Sequence, residues 1–290
     1  MLIEKIAQPK TDDAASKEST IGRMLLDMGK ITPEDATRVL ALQAQKGLRF
    51  GQAAQELGLV TEADIQLVLA SQFDYQYVQS HQTNFDQALV AAMEPFGKEA
   101  EMLRALRGQL TVRWFSTHKS LAVIAADERA SAAVASANLA VLFAQQGKRT
   151  LLVDANLRKP RQHDLFGTGP RAGLSDMLAG RVQNAGVLQV APFDQLSLLC
   201  AGPQPPNPHE LLGRPRFAAL SEEFARVFDV VIYDAPPLST SADAYAIASR
   251  AGGVLLVLSK STTKQAAVRE IRAQLLRSGV EIVGALLLDF

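Results

Sequence analysis

Three segments hold the residue types that site chemistry needs: "ADERASAAV" (126–134), "LLVDANLRKPRQHDLFG" (151–167) and "VVIYDAPPL" (230–238). Each contains or directly follows an apolar run that reads as a buried strand, and in open α/β sheets ligands collect beyond the carboxyl ends of the strands. The turn from first strand to first helix is where a phosphate loop would sit. Such loops need glycine, because positive φ and close backbone approach turn several amides toward one anion. From Lys119 to Gln146 there is no glycine.

The elements that position these segments follow from the apolar pattern. Runs at 121–125, 150–153, 196–200, 229–233, 253–258 and 282–288 alternate with helical stretches. Most are continuous rather than alternating, as strands buried on both faces must be, so the pattern predicts an α/β fold with a parallel sheet flanked by helices. The stretch 127–147 reads as the first helix, with Asp127 or Ser131 as N-cap and Gly147 as its stop. Upstream, "KEAEMLRALRGQL" (98–110) is a helix with Leu103, Leu106 and Leu110 on one stripe.

A different organisation precedes it. Residues 21–43 and 50–72 repeat at an offset of 29, sharing Gly22/Gly51, Gly29/Gly58, Thr32/Thr61, Asp35/Asp64, Leu40/Leu69 and Gln43/Gln72. Each unit is a short helix, a glycine turn and a second helix capped by Thr32 or Thr61. Two helix pairs make a small all-helical domain ending near Tyr77.

Composition sets bounds. At 290 residues two domains are expected. Thirty basic and thirty acidic residues cancel, which argues against a broad nucleic-acid surface. Cys200, the one cysteine, reads as a buried inert thiol. No apolar run approaches a membrane span and the first residues lack the apolar centre of a signal peptide, so the expected location is the cytoplasm, with any membrane role reached through a partner.

Several stretches together resemble the bacterial tyrosine kinase (BY-kinase) family of capsule and exopolysaccharide synthesis. They are "ANLAVLFAQQGKRTLLVDANLRKPRQHDLFG", "GLSDMLAG", "PPNPHELLGRPRF", "FDVVIYDAPP" followed by Asp243, and "GALLLDF". Within that family the chain is similar to the EpsG type of chain-length-determinant kinase, from about residue 20 onward. The resemblance implies a P-loop fold using Mg-ATP. Asp154 then matches a magnesium-site or base residue, Arg158 the family arginine, and Asp234 the acid that holds magnesium through water. Asn156 stands where a second acid is expected. Read without the family, carboxylates at strand ends accept loop amides.

Aligned on "ANLA" (137–140), the family loop needs Gly, any residue, Gly, a basic residue, then Ser or Thr; this chain has Arg129, Ala130, Ser131, Ala132 and Ala133. A residue with a Cβ forced left-handed costs about 1–2 kcal/mol, and the missing cation's charge-assisted hydrogen bonds about 1.5–3 kcal/mol each. The metal-binding hydroxyl is gone too. Nucleotide binding is expected to be weak or absent, and phosphoryl transfer more so. Arg129 is the candidate substitute cation. The resemblance also implies a tyrosine-rich tail as phosphorylation substrate, and no such tail is expected here, since the tyrosines are Tyr75, Tyr77, Tyr233 and Tyr245.

Two binding surfaces complete the reading. Glu101, Arg104 and Arg107 fit the family's ring-assembly pattern and predict a homo-oligomer, although Glu101 and Arg104 at this spacing can also pair on a solvated helix face. The repeat resembles the MshEN type of cyclic di-GMP receptor, which nominates Gly22, Leu25, Gly29, Leu40, Gln43, Arg49, Gly51, Gly58, Leu69 and Gln72. Thr20, Phe50, Ala36 and Ala54 depart from that pattern, and a helical docking module without the ligand is the alternative. The expected domains are a disordered tail (1–19), the MshEN-like repeat (20–79), a connector and oligomerisation helix (80–112) and the P-loop BY-kinase-like domain (113–290). The expected function is a BY-kinase-like regulator or scaffold of exopolysaccharide polymerisation and export, partnered by an inner-membrane chain-length determinant. Its alternatives are an active autophosphorylating kinase and a MinD/ParA-like ATPase.

Overall fold

A computed structural model describes residues 21–62, 64–65, 68, 83–128, 130–182 and 186–288. They fall into two compact units, one ending by residue 68 and one beginning at residue 83.

The first unit contains a helical run at 21–27, then α1 (Pro33–Lys46) and α2 (Phe50–Glu56). The repeat read from the sequence is visible in its hydrogen bonds. Thr32 Oγ1 accepts from the Asp35 amide at 3.1 Å while the Thr32 amide donates to Asp35 Oδ2 at 3.1 Å. Thr61 and Asp64 reproduce the pair at 3.2 and 2.9 Å. Each preceding turn closes on a left-handed glycine, Gly29 at φ +66° and Gly58 at φ +67°, which is why the helices stop where they do. Leu25, Val39, Phe50, Ala53 and Val68 form the core.

The second unit runs α3 (Val90–Met93), α4 (Lys98–Arg113), β1 (Ser120–Ala125), α5 (Ala132–Gln145), β2 (Thr150–Asp154), α6 (Gln162–Leu165), α7 (Leu174–Ala179), β3 (Val187–Gln189), β4 (Leu196–Leu199), α8 (Pro208–Gly213), α9 (Pro215–Val227), β5 (Val230–Ala235), α10 (Asp243–Ala251), β6 (Gly253–Ser259), α11 (Gln265–Arg277) and β7 (Glu281–Leu288). The seven strands lie in the order β3-β4-β2-β5-β1-β6-β7. All pairings are parallel except β3 with β4.

Side-chain alternation splits the core between the two faces of this sheet. Leu121, Val123 and Ala125 pack with Leu139 and Phe143 of α5 and Leu103 and Leu110 of α4, whereas Ala122 and Ile124 pack with Phe217, Ile247 and Leu275. Thus α4, assigned from sequence to a separate connector segment, packs on the α/β unit. Asn138 of α5 anchors the turn that opens α3: its Oδ1 accepts from the Ala91 amide and its Nδ2 donates to the Ala88 carbonyl, both at 2.8 Å. Tyr233 is fully buried within β5.

Two details differ from the sequence reading. The antiparallel β3 was not anticipated, being three residues long with no buried side chain, too short and too exposed to carry a period. Cys200 lies one residue past β4. Its carbonyl accepts the Leu174 amide at 2.8 Å, so the backbone there serves the start of α7 rather than the ladder. The thiol is free and buried, and burial pushes its pKa up.

Candidate functional site

The carboxyl ends of β2 and β5 bring Asp154 and Asp234 side by side, as direct partners in the parallel register. Both are almost wholly buried. Asp154 Oδ2 accepts the amides of Arg161 and Gln162, each at 3.0 Å, so it organises the loop that follows its own strand. Its Oδ1 is buried with no hydrogen-bond partner. Asp234 Oδ2 accepts from Gln162 Nε2 at 2.8 Å, and the same nitrogen lies 3.0 Å from the Ala133 carbonyl and 3.2 Å from Ser136 Oγ. Gln162 therefore braces the strand ends against the first turn of α5.

Electrostatics follow from burial. Desolvation pushes the Asp154 carboxyl up to about 7, against the pull of the loop amides. Asp234 is raised well above the usual carboxylate range, first by burial and then by the charge of Asp154. Two adjoining carboxyls in so dry a place favour retaining a proton near neutral pH unless a cation is supplied.

Above the pair opens a cleft of about 490 Å³, bordered by Ala130, Ser131, Ala132 and Ala133 on one side and by Arg158, Lys159 and Arg161 on the other. The open choice of N-cap resolves on Ser131, whose Oγ accepts from the Val134 amide at 3.4 Å. Asp127 is held elsewhere, accepting from Thr263 Oγ1 at 2.7 Å. Ala132 and Ala133 occupy the first turn of α5 and border the cleft with methyl groups. Arg129, the candidate substitute cation, lies outside the described residues.

Two cleft cations are already engaged. Arg158 Nε donates to Asp243 Oδ2 at 2.7 Å, and His209 Nδ1 lies 3.1 Å from Asp243 Oδ1. Lys159 pairs with Glu128 at 3.1 Å on the exposed rim. Asn156 closes the turn that carries both, its Oδ1 accepting the Lys159 amide at 3.1 Å. Arg161 approaches closely enough for its charge to act on Asp234. Sequence reasoning placed Asp154, Asp234, Asn156 and Arg158 at one sheet edge, but it missed Gln162, Ser136 and His209. Asp243 stands in the sequence as a motif position to which no role attaches. Nothing local distinguishes a buried neutral amide in a polar loop from a solvated one.

Elsewhere, Glu101 and Arg104 form an ion pair on α4, while Arg107 Nη1 donates to the Leu142 carbonyl at 3.0 Å and so turns onto α5. In the first unit, added methyl groups at Gly22 and Gly51 would sit 3.0 Å from Phe50 Cζ and 2.9 Å from Ile65 Cδ1; close helix packing is itself a reason for small residues at both positions. Leu25 is buried, whereas Leu40 is 56% exposed. The Arg49 amide donates to Gln52 Oε1 at 3.1 Å at the start of α2, and Gln43 is half-buried. Leu69 and Gln72 lie outside the described residues, as do the tail 1–19, Tyr75 and Tyr77.

Comparison with known proteins places this geometry in context. No family model matches the chain. The chain is 32% identical over 200 residues to the tyrosine-protein kinase YwqD of Bacillus subtilis, covering 69% of this chain and 84% of the relative. It is 31% identical over 169 residues to the putative tyrosine-protein kinase CapB of Staphylococcus aureus, covering 58% and 74%. Among solved structures it matches the kinase domain of the Escherichia coli tyrosine kinase ETK with a TM-score of 0.67 and 30% identity, over 74% of this chain and 84% of that one. The septum site-determining protein MinD of Pyrococcus horikoshii matches at a TM-score of 0.52 and 17% identity, over 59% and 70%, a likeness of fold alone.

Proposed function

The chain belongs to the bacterial tyrosine-protein kinases of capsule and exopolysaccharide synthesis, and on that premise we propose that it is a regulator or scaffold of polymer assembly whose ATP chemistry is weak or lost. The observation that carries this reading is the first turn of α5, where Ala132 and Ala133 border the cleft at the positions of the family's cation and metal-binding hydroxyl.

The metal fit is poor on the same ground. Asp154 and Asp234 are suitable oxygen donors, yet Ala133 offers no hydroxyl, Asp234 Oδ2 already accepts from Gln162, and Asp154 Oδ2 is committed to two amides. Among the described residues no cluster of three or more His, Cys, Asp or Glu could hold an ion. A triphosphate would meet Cβ groups where it needs inward amides and a cation.

Calorimetric titration of the full chain with Mg-ATP tests the reading. Negligible heat up to high micromolar nucleotide is expected. Micromolar affinity abolished by Asp234→Ala would establish instead an active autophosphorylating kinase working through Asp154, Arg158 and Asp234. A MinD/ParA-like ATPase is disfavoured by "PPNPHELLG" and by the lack of lysines between 120 and 147.

The partner in this reading is an inner-membrane chain-length determinant that recruits the chain from the cytoplasm, with self-association through Glu101 and Arg104. No helix of the described residues is long and apolar enough to cross a membrane. For the repeat, cyclic di-GMP is the proposed ligand. Exposed Leu40 supports a base-stacking contact, and Arg49 would address guanine or phosphate. Absence of binding to high micromolar cyclic di-GMP, or binding unchanged by Arg49→Ala, would leave a docking module in its place.

A further inference from the structure

The amino-terminal edge of the sheet, at the opposite strand ends from Asp154 and Asp234, carries a second concavity of about 500 Å³. It lies between the end of α4, the turn after α5 and the start of β5. The floor is apolar: Phe115 and Phe143 meet edge to face with centroids 5.0 Å apart, and Val112 beside them is 74% exposed. The walls are firm. Trp114, 2% exposed, donates from Nε1 to the Ser120 carbonyl at 2.8 Å and so pins the end of α4 to the start of β1.

The rim is cationic. Lys119 and Lys148 both line the concavity, and Asp229 is the only acid that does. Arg149 already satisfies that carboxylate from two nitrogens, Nε at 3.2 Å and Nη2 at 2.9 Å. The hydrogen bond from Arg149 pulls Asp229 down to about 2. Lys119 reaches Asp229 only at 3.7 Å, and Lys148 has no ion-pair partner among the described residues. The concavity therefore holds surplus positive charge over an apolar floor that Val112 and, in part, Phe115 expose.

We propose that this concavity docks an acidic segment of a partner protein that presents one aromatic or large aliphatic side chain. Complementarity selects that chemistry: carboxylates answer the two lysines at the rim, and an apolar anchor covers Val112 and Phe115, which water now reaches. A concave floor bounded by a fixed tryptophan turn suits a narrow segment better than a flat bilayer. The inference concerns a surface remote from the cleft and stands whether or not the cleft binds nucleotide.

The test uses the full chain and a fluorescein-labelled seven-residue peptide of Asp and Glu with one central Phe, read by fluorescence anisotropy. Saturable binding that weakens with added salt is expected, as is loss of binding when the Phe is replaced by Ala or the acids by Lys. Lys119→Glu combined with Lys148→Glu should weaken binding by about tenfold or more. Val112→Asp should do likewise with the melting temperature unchanged, since its side chain is exposed. No binding at about 1 mM peptide, or equal binding by the variants or by the Phe-less peptide, overturns the proposal. It is also overturned if the double variant abolishes self-association in sedimentation, which would make a second copy the occupant. Failure of the peptide together with variant-sensitive binding to phosphatidylglycerol vesicles would overturn it in favour of a membrane.

Discussion

Rebuilding the phosphate loop should rebuild nucleotide binding, because the strand-end acids that such a loop serves are still in place. The perturbation is a quadruple variant, Arg129→Gly, Ser131→Gly, Ala132→Lys and Ala133→Thr. Two glycines relieve about 1–2 kcal/mol each at positions that must turn left-handed. One charge-assisted hydrogen bond from the new lysine adds about 1.5–3 kcal/mol. Against this, losing the Ser131 cap to glycine costs a few tenths of a kcal/mol, and a cation in the first turn of α5 opposes the helix dipole by about 0.3–1 kcal/mol. The net is about 3–6 kcal/mol, or roughly a hundred- to ten-thousandfold in affinity. Titration calorimetry with Mg-ATP on parent and variant reads that ratio, and melting curves confirm that both fold. Because Asp127 is held by Thr263 at 2.7 Å, the same variant with Thr263→Val checks whether that bond keeps the loop closed. If the parent already binds in the micromolar range, or if both folded variants bind no better than the parent, the account of the cleft is wrong.

Three further outcomes follow from buried polar groups and close packing. Asp154 rises from its ordinary 3.8 to about 7, and Asp234 rises as well. Over that window the folded chain binds more protons than the unfolded one, so this pair's contribution to stability is full at the acid end and is lost as pH rises toward about 7. Asp234→Asn removes one buried acid and its repulsion on the other, so the melting temperature should decline less between about pH 5 and about pH 8 than in the parent; an equal or steeper decline counts against the pair. Asn138→Ala strands the Ala91 amide and the Ala88 carbonyl and should cost about 2–4 kcal/mol by urea denaturation, whereas a loss under about 0.5 kcal/mol would mean the turn is not anchored there. Gly173→Ala puts a methyl group 2.0 Å from the Cys200 carbonyl oxygen and 2.4 Å from the Gly202 nitrogen. Both are backbone atoms that cannot step aside, so the soluble yield or melting temperature should fall sharply, and an unchanged melting curve would refute that packing.

The absence of glycine from 129–133, with alanine at 132 and 133, is a local matter that the sequence states directly; the fold adds that Ala132 and Ala133 open α5 and border the cleft. The sheet was legible too, because central strands buried on both faces must be written as continuous apolar runs, as β1, β2, β5 and β6 are. Val187–Gln189, only three residues long, is too short to leave such a mark. The repeated Thr–Asp capping pairs, at Thr32 and Thr61, were equally plain, since their partners lie three residues away.

What tertiary structure decided were the partnerships across long stretches of chain. Arg158 reaches Asp243 over 85 residues and Gln162 reaches Asp234 over 72, and no spacing rule announces either. Between Asp127 and Ser131 the sequence left the cap open; in the fold α5 begins at Ala132, so Ser131 caps it, and Asp127 accepts instead from Thr263, 136 residues away. Composition and periodicity dictate which residues must be dry and which turns can form. Which polar groups then meet in that dry space is settled by the parallel register, which sets Asp154 against Asp234 only once the sheet has assembled.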